Sequence, residues 1–277
     1  MPDQASRMRD LALQARLSGP SIRPRLTAVT SGKGGVGKST LSLNLAIKLC
    51  DAGRQVLLVD ADTNLGSLDV MLGIAPRFRL GHFLRGEMEL ADVLLTAQPG
   101  LRLLPASSGD LHHPAMDAGA QSRLLAELLL SGDDDIVLDT GAGMQTEVME
   151  YCRRADDILV VAGPEPTSVM DAYAMMKTIW SIKADAEIRL VLNNVRSPRE
   201  ADETGGKLAM AVQHFLHREL RILGSVPADQ AVGKAIIQQQ PLVRAFPRSA
   251  AALSLQALAS QLLRPPVREA ERRAVSA

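Results

Sequence analysis

The segment that most constrains the fold of this chain is a glycine-rich stretch at residues 31–40, which reads SGKGGVGKST. It contains the spacing G-x-x-x-x-G-K-S, which needs a buried strand before it and a helix after it. Both are present, because an apolar run precedes it at residues 26–30 and leucines at helical spacing follow at residues 41–49. Glycines let successive backbone N–H groups converge on a polyphosphate, and the helix N-terminus adds partial positive charge. The segment therefore predicts a phosphate-binding loop.

Two lysines in this loop predict different roles. Lys38 should reach the β- and γ-phosphates of a nucleoside triphosphate, and the hydroxyl of Ser39 should bind Mg²⁺. Lys33 should project outward, because the backbone amides and Lys38 already serve the phosphates. Its useful target would be the triphosphate of a second copy placed face to face, where a trans-acting cation contributes about 10³–10⁵ in rate. The alternative for Lys33 is an ordinary solvated lysine.

Beyond the loop, short apolar runs alternate with helical patterns. Continuous Val, Leu and Ile runs are typical of parallel strands covered on both faces. The sequence therefore predicts an α/β fold with a doubly wound, mostly parallel sheet of about seven strands. The predicted strands are residues 26–30, 56–59, 101–104, 135–138, 157–161, 188–192 and 222–226, and the predicted helices include 4–17, 41–49, 124–130, 169–182 and 208–220. The predicted domains are 1–25 (N-terminal helix and linker), 26–263 (nucleotide-binding domain) and 264–277 (polar, disordered tail).

Polar side chains follow several predicted strands at their carboxyl ends, the edge where ligands bind in such sheets. Asp139 precedes a turn of small residues, where an acidic residue holds Mg²⁺ directly or through water. Asp60 ends another strand, and Asp62 two residues later points the same way if the chain stays extended. One of these two carboxylates can then support the metal while the other orients the attacking water. The alternative for Asp62 is a cap on the following turn. Asn193 and Asn194 follow a further strand at the same edge.

The composition excludes several other classes of protein. The net charge is zero over 277 residues, so no overall field draws the chain to DNA or anionic lipid, and aromatic residues are too few, at 3%, for base stacking. The N-terminus lacks the apolar core of a signal peptide, and no apolar run is long enough to span a membrane. Two cysteines do not make a disulfide framework. We therefore expect a cytoplasmic protein with no sequence-specific DNA partner.

Four motifs resemble those of the MinD/ParA family of ATPases, which has a distinctive form of this loop. They are KGGVGKST at residues 33–40, VDAD at 59–62 with GSLD at 66–69, LDTGAG at 138–143 and GSVPAD at 224–229. The resemblance implies a doubly wound fold, ATP and Mg²⁺ as ligands, and a homodimer that assembles in ATP.

The resemblance also implies a role for individual residues. Lys33 would act across the dimer, Asp62 would position the attacking water, and Asp60 and Asp139 would support the metal. Thr40 would lie near the α-phosphate. The residues implied to contact the nucleotide are Gly34, Gly35, Val36, Gly37, Lys38, Ser39 and Thr40 in the loop, with Asn193 or Asn194, Pro227 and Asp229 around the adenine.

Three further stretches resemble the FlhG/FleN branch of the family, the MinD-like regulators of flagellar number and placement. They are EPTS at 165–168 with DAYA at 171–174, AFPRS at 245–249, and DQASRMR at 3–9. In that branch the N-terminal element stimulates the GTPase FlhF, and Gln4 matches the glutamine that enters the partner's active site. The resemblance implies an FlhF-type GTPase as a partner, together with flagellar C-ring components or a flagellar transcriptional activator.

The C-terminal end departs from the family pattern. Many members end in an amphipathic helix that binds the membrane, whereas residues 264–273 here contain two prolines and few apolar side chains. The sequence leaves two locations open, the cytoplasm and the inner face of the membrane through arginine contacts. Two other functions also stay open, a ParA- or MinD-type ATPase for DNA partition or septum placement and an iron–sulfur reductase. The reductase would need cysteines in loops near the nucleotide, whereas both cysteines fall on predicted helices.

Overall fold

The structure is a computed structural model that describes residues 23–62, 66–107 and 117–263. The predicted N-terminal helix with Gln4 and the predicted polar tail lie outside these residues. Within them, one sheet of eight strands runs through the molecule in the order β3-β4-β2-β5-β1-β6-β7-β8. The strands are β1 Arg25–Ser31, β2 Val56–Ala61, β3 Leu95–Gln98, β4 Leu101–Leu104, β5 Asp135–Ala142, β6 Asp157–Ala162, β7 Ile188–Val195 and β8 Arg221–Pro227. All neighbours are parallel except β3 and β4.

Helices cover both faces of this sheet. The longer ones in the described residues are α1 Lys38–Asp51, α5 Ala118–Leu129, α6 Thr146–Arg154, α7 Pro166–Ile182, α8 Pro198–Leu216, α9 Gln230–Ile237 and α11 Ala250–Leu262. The short ones are α2 Leu68–Met71, α3 Leu80–Leu84, α4 Leu90–Val93 and α10 Leu242–Ala245. None of the helices that can be described is both long and apolar enough to cross a bilayer.

Alternate residues of each strand pack into opposite core layers. In β2, Leu57 and Val59 pack with the layer that contains α5 to α8, whereas Val56 and Leu58 pack with α1 and α11. Because both faces are buried, the central strands are almost continuous apolar runs, as parallel sheets require. The doubly wound, mostly parallel fold predicted from these runs is confirmed.

The sheet has one strand more than the sequence predicts. β3 is a four-residue antiparallel edge strand with no fully buried residue, so it lacks the continuous apolar run that identifies the other seven. Edge strands of this kind have no second sheet neighbour and need no such run.

Both bounds of the helix predicted at residues 208–220 are wrong. α8 begins at Pro198, after Ser197, whose hydroxyl accepts a hydrogen bond from the N–H of Glu200 at 3.2 Å. It ends at Leu216, because His217 adopts a left-handed conformation with φ 53° that stops the helix. Polar N-capping residues and an αL residue are local signals that the apolar spacing alone does not contain.

The middle of the sheet is where the chain changes direction. β1 lies between β5 and β6. The strands β2 to β5 lie on one side of β1, and β6, β7 and β8 lie on the other side. Such a reversal opens a crevice at the carboxyl ends of the strands. The predicted phosphate loop connects β1 to α1 at this crevice.

Candidate nucleotide-binding site

Close packing makes two loop glycines indispensable. Gly37 has φ 92°, and a Cβ atom built on it would lie 2.3 Å from Nδ2 of Asn193. A Cβ atom on Gly32 would lie 2.2 Å from the carbonyl oxygen of Asp171 in α7. Any side chain at either position would therefore push the loop away from β7 or α7.

The loop borders a cavity of about 920 Å³ at the carboxyl edge of the sheet. One end is formed by the loop and Asp62, so it carries backbone N–H groups, ammonium groups and a carboxylate. The other end has an apolar wall from Val226, Val232, Ile236 and Leu255. A polar, cationic end joined to an apolar end suits a molecule with a polyphosphate and a flat base. Every sequence-predicted nucleotide residue from Gly34 to Thr40, with Asn193, Asn194, Pro227 and Asp229, lines this cavity.

The ammonium group of Lys38 lies in a nearly dry environment. The residue is only 8% exposed, and burial lowers the pKa of its ammonium group, while the nearby Asp139 and Asp62 carboxylates act in the opposite direction. A poorly solvated ammonium group is poised to gain more from an approaching polyphosphate than a hydrated one does.

Asp60 and Asp139 lie opposite each other on the neighbouring strands β2 and β5. Burial raises the pKa of Asp60 to about 8, and the repulsion of Asp139 adds to the effect. Burial also raises the pKa of Asp139 to about 6, less strongly because Ser39, Lys38 and Ser42 favour its charged form. One oxygen of Asp60, Oδ1, is buried without a hydrogen-bond partner. Burial thus favours the protonated form of both carboxyl groups, and a bound cation would favour the charged form instead.

The donor set around these carboxyls fits Mg²⁺. The hydroxyl of Ser39 hydrogen-bonds Asp139, and Oδ1 of Asp60 is an unused buried acceptor. No group of three or more His, Cys, Asp or Glu side chains that could hold a metal occurs within the described ranges. That is expected for Mg²⁺, which is bound by one or two protein oxygens plus substrate phosphates and water, and not by an all-protein cage.

Asp62 and Lys33 lie on different parts of the site. A Cβ atom on Gly141 would be 3.8 Å from Oδ1 of Asp62, so the Asp62 carboxylate lies next to the end of β5. Lys33 is exposed, and its Nζ lies 3.3 Å from Oγ1 of Thr167 at the start of α7. The lysine is thus held at the edge of the cavity with its ammonium group in solvent, as the sequence predicts.

The residues expected around the adenine have distinct structural roles. Nδ2 of Asn193 donates to the carbonyl oxygen of Val36 at 2.7 Å, which ties β7 to the loop. Asn194 is exposed, with φ 61°. Both carboxylate oxygens of Asp229 accept backbone N–H groups, one from Ala231 in α9 and one from Ala251 in α11. These bonds lower the pKa of Asp229 and make it a cap shared by two helices.

Several residues of the site escape sequence reasoning. The hydroxyl of Ser42 lies 3.0 Å from Oδ1 of Asp139 and 2.9 Å from the carbonyl oxygen of Lys38. Its signal in the sequence is a polar residue within an apolar helical run, three residues after Ser39. The structure shows that this residue is fully buried. Gln145 and Glu165, the N-terminal flanks of α6 and α7, also line the cavity, but nothing in the sequence pattern separates them from ordinary helix caps.

Comparisons with known proteins agree with this geometry. The family model described as the CobQ/CobB/MinD/ParA nucleotide binding domain matches residues 27–242. The chain belongs to the MinD/ParA family. As a MinD-like chain with this loop, it is a P-loop ATPase.

Individual members of the MinD/ParA family show the same relationship. The chain is 38% identical to the antiactivator FleN of Pseudomonas aeruginosa over 87% of this chain and 88% of the relative. It is 32% identical to the flagellum site-determining protein YlxH of Helicobacter pylori over 86% and 82%. The structure of septum site-determining MinD from Pyrococcus horikoshii, complexed with Mg-ADP, matches with a TM-score of 0.73 and 26% identity over 87% and 96%. The predicted resemblance to the flagellar regulators of the family is confirmed.

Proposed function

We propose that this MinD-like ATPase is an ATP-dependent dimerisation switch that controls flagellar number or placement. The observation that carries the proposal is the separation of the two loop lysines. Lys38 is buried among carboxylates inside the cavity, whereas Lys33 is exposed at its edge. A second copy facing the cavity could therefore receive Lys33 without displacing Lys38. The similarity to FleN and YlxH supports the flagellar assignment.

ATP with Mg²⁺ is the proposed ligand. The apolar wall of Val226, Val232 and Leu255 suits a purine, and a guanine would also need acceptors for its ring N–H and amino groups. Asp229, the carboxylate on that wall, already holds the N-termini of two helices through both oxygens. These two observations favour adenine over guanine.

Each residue then has one task in hydrolysis. The ammonium group of Lys38 and the loop N–H groups neutralise the phosphates, Ser39, Asp60 and Asp139 hold the metal, and Asp62 orients the attacking water. Bound Mg²⁺ would supply charge neutralisation on the phosphate oxygens. Lys33 of the second copy would add positive charge that is present only in the dimer, so hydrolysis and dimer lifetime would be coupled.

Two substitutions test the switch. In ATP and Mg²⁺, the Asp62→Ala protein should bind nucleotide, lose hydrolysis and accumulate as a dimer, because water is no longer oriented. The Lys38→Ala protein should stay monomeric, because it cannot hold the triphosphate. Multi-angle light scattering with ATP and with ADP measures both. A monomeric Asp62→Ala protein that still binds ATP would refute the switch.

The partners of the proposed switch follow from the flagellar resemblance. We propose an FlhF-type GTPase as the partner of the N-terminal segment, and flagellar C-ring components or a flagellar transcriptional activator as readers of the dimer. Membrane contact through the C-terminal arginines is a further proposal.

The alternative to flagellar control is a role in DNA partition or septum placement. A zero net charge does not favour the partition role, because that role requires DNA binding.

The N-terminal segment gives the sharpest test of the flagellar assignment. A peptide of residues 1–25 should accelerate GTP hydrolysis by an FlhF-type GTPase, and the Gln4→Ala peptide should not, if the glutamine acts in the partner's active site. Hydrolysis is followed by phosphate release, with the peptide of reversed sequence as a control for nonspecific effects. No stimulation by either peptide would favour the septum or partition role instead.

A further inference from the structure

The segment that begins at Gly66 is attached to the proposed metal site through backbone hydrogen bonds. Oδ2 of Asp60 accepts the N–H groups of Ser67 at 2.9 Å and of Leu68 at 3.1 Å, where α2 begins. A Cβ atom on Gly66 would lie 2.9 Å from the same oxygen and 2.1 Å from Cβ of Ala106. At Gly66 the chain therefore passes through a narrow gap between the Asp60 carboxyl and Ala106, two residues after β4.

A buried ion pair holds the other side of α2. The carboxylate of Asp69 has only 7% of its side chain exposed, and Nη2 of Arg79 lies 2.8 Å from its Oδ2. Its Oδ1 accepts the N–H of Val70 at 2.8 Å. A carboxylate this well buried depends on its cationic partner, because an unpaired charge there would be strongly destabilising.

The same arginine is bound to the residues after β4 that form the far wall of the gap. Nη1 of Arg79 donates to the carbonyl oxygen of Ala106 at 3.4 Å, and the N–H of Leu80 donates to the carbonyl oxygen of Pro105 at 3.0 Å. The Arg79 backbone N–H donates to Nδ1 of His82, which fixes the start of α3. Arg79 thus joins α2 to the residues after β4, with Nη2 at Asp69 and Nη1 at Ala106.

We infer that the Arg79–Asp69 pair positions the Asp60 carboxyl and the start of α2 for hydrolysis, without touching the nucleotide. Neither residue lines the cavity. With the pair intact, the N–H groups of Ser67 and Leu68 occupy Oδ2 of Asp60, so that Oδ1 would remain available to a bound metal. The inference rests on the proposed role of Asp60 at the metal, and it makes Arg79 a positioning residue.

Hydrogen–deuterium exchange and kinetics on the full chain test this inference together. In nucleotide-free Arg79→Ala protein, amide exchange in residues 66–74 should be at least about tenfold faster than in the wild type, because α2 opens locally. Below its melting temperature, the same variant should lose about tenfold in kcat for ATP, with KM within about twofold, since ground-state binding is untouched. Arg77→Ala is the matched control, because Arg77 is exposed and its guanidinium group lies over the Phe78 ring. It should change neither quantity.

Two more variants separate positioning from a general loss of stability. Arg79→Lys keeps the charge but cannot reach two acceptors, so its kcat should fall between the wild type and Arg79→Ala. Adding Asp69→Asn to Arg79→Ala removes the unpaired carboxylate, so thermal stability should recover while kcat stays low. Recovery of both would mean a purely structural role and would overturn the inference, as would unchanged exchange in residues 66–74. Because exchange is measured without nucleotide, it remains informative even if the dimer switch is refuted.

Discussion

The Lys33→Ala protein is expected to bind nucleotide as well as the wild type but to hydrolyse it about 10³-fold more slowly. Lys33 lies at the edge of the cavity with its ammonium group exposed, whereas the buried Lys38 remains to hold the phosphates. Nucleotide affinity from a fluorescent ATP analogue and turnover from phosphate release measure the two effects separately. Lys207→Ala, which removes another exposed lysine from α8, should alter neither.

Mixing two inactive variants decides whether Lys33 acts across the dimer. Asp62→Ala protein keeps Lys33 but cannot orient water, and Lys33→Ala protein keeps Asp62 but lacks the cation. In a mixed dimer, the site of the Lys33→Ala subunit would have its own Asp62 and would receive Lys33 from the other subunit. Turnover should therefore reappear on mixing. If Lys33 acts within its own subunit, every site in the mixture lacks one group and no turnover returns.

The Asp60→Asn protein is expected to be more stable than the wild type at pH 8 without metal, and nearly inactive with it. Burial raises the pKa of Asp60 to about 8, against about 3.9 in an unfolded chain. Between those pH values the folded protein holds a proton that the unfolded chain has released. The free energy of unfolding of the wild type therefore falls as the pH rises from about 4 to about 8. Asparagine keeps the acceptor for the N–H groups of Ser67 and Leu68 but does not titrate.

The difference between the two proteins gives the sign and size of this effect. The stability advantage of Asp60→Asn should grow from about pH 4, level off above about pH 8 and reach at most about 6 kcal/mol. Urea unfolding across this range measures it, with Asp202→Asn on the exposed face of α8 as the control. With ATP and Mg²⁺ the order should reverse, because only the wild type gains stability from the bound metal and nucleotide. A pH-independent difference would mean that Asp60 is ionised in the folded protein.

Local rules were enough to predict the phosphate end of the site from sequence. The loop between residues 32 and 39 needs its strand, its helix and its glycines close together in the chain, so one motif contains the whole arrangement. The sequence places Asp60 and Asp139 at one edge, because parallel strands end at a common edge and each continuous apolar run shows where its strand ends. The structure pairs the two residues on β2 and β5. The same runs identified seven of the eight strands. The eighth, β3, is half-exposed, and no run marks it.

The rest of the site was decided by contacts between residues far apart in the chain. The sequence places Asp229 beside the adenine, but only the structure shows that its carboxylate accepts N–H groups from both α9 and α11. The attachment of Asn193 to the Val36 carbonyl depends on β7 lying next to the loop. In the sequence, Asp69 and Arg79 look like ordinary surface charges, and only the structure shows that they form a pair with a buried carboxylate. The sequence determined which chemistry the chain can perform, because that chemistry is encoded in short motifs. The tertiary structure determined which side chains remain available for it, because burial and hydrogen bonding depend on neighbours that no local pattern specifies.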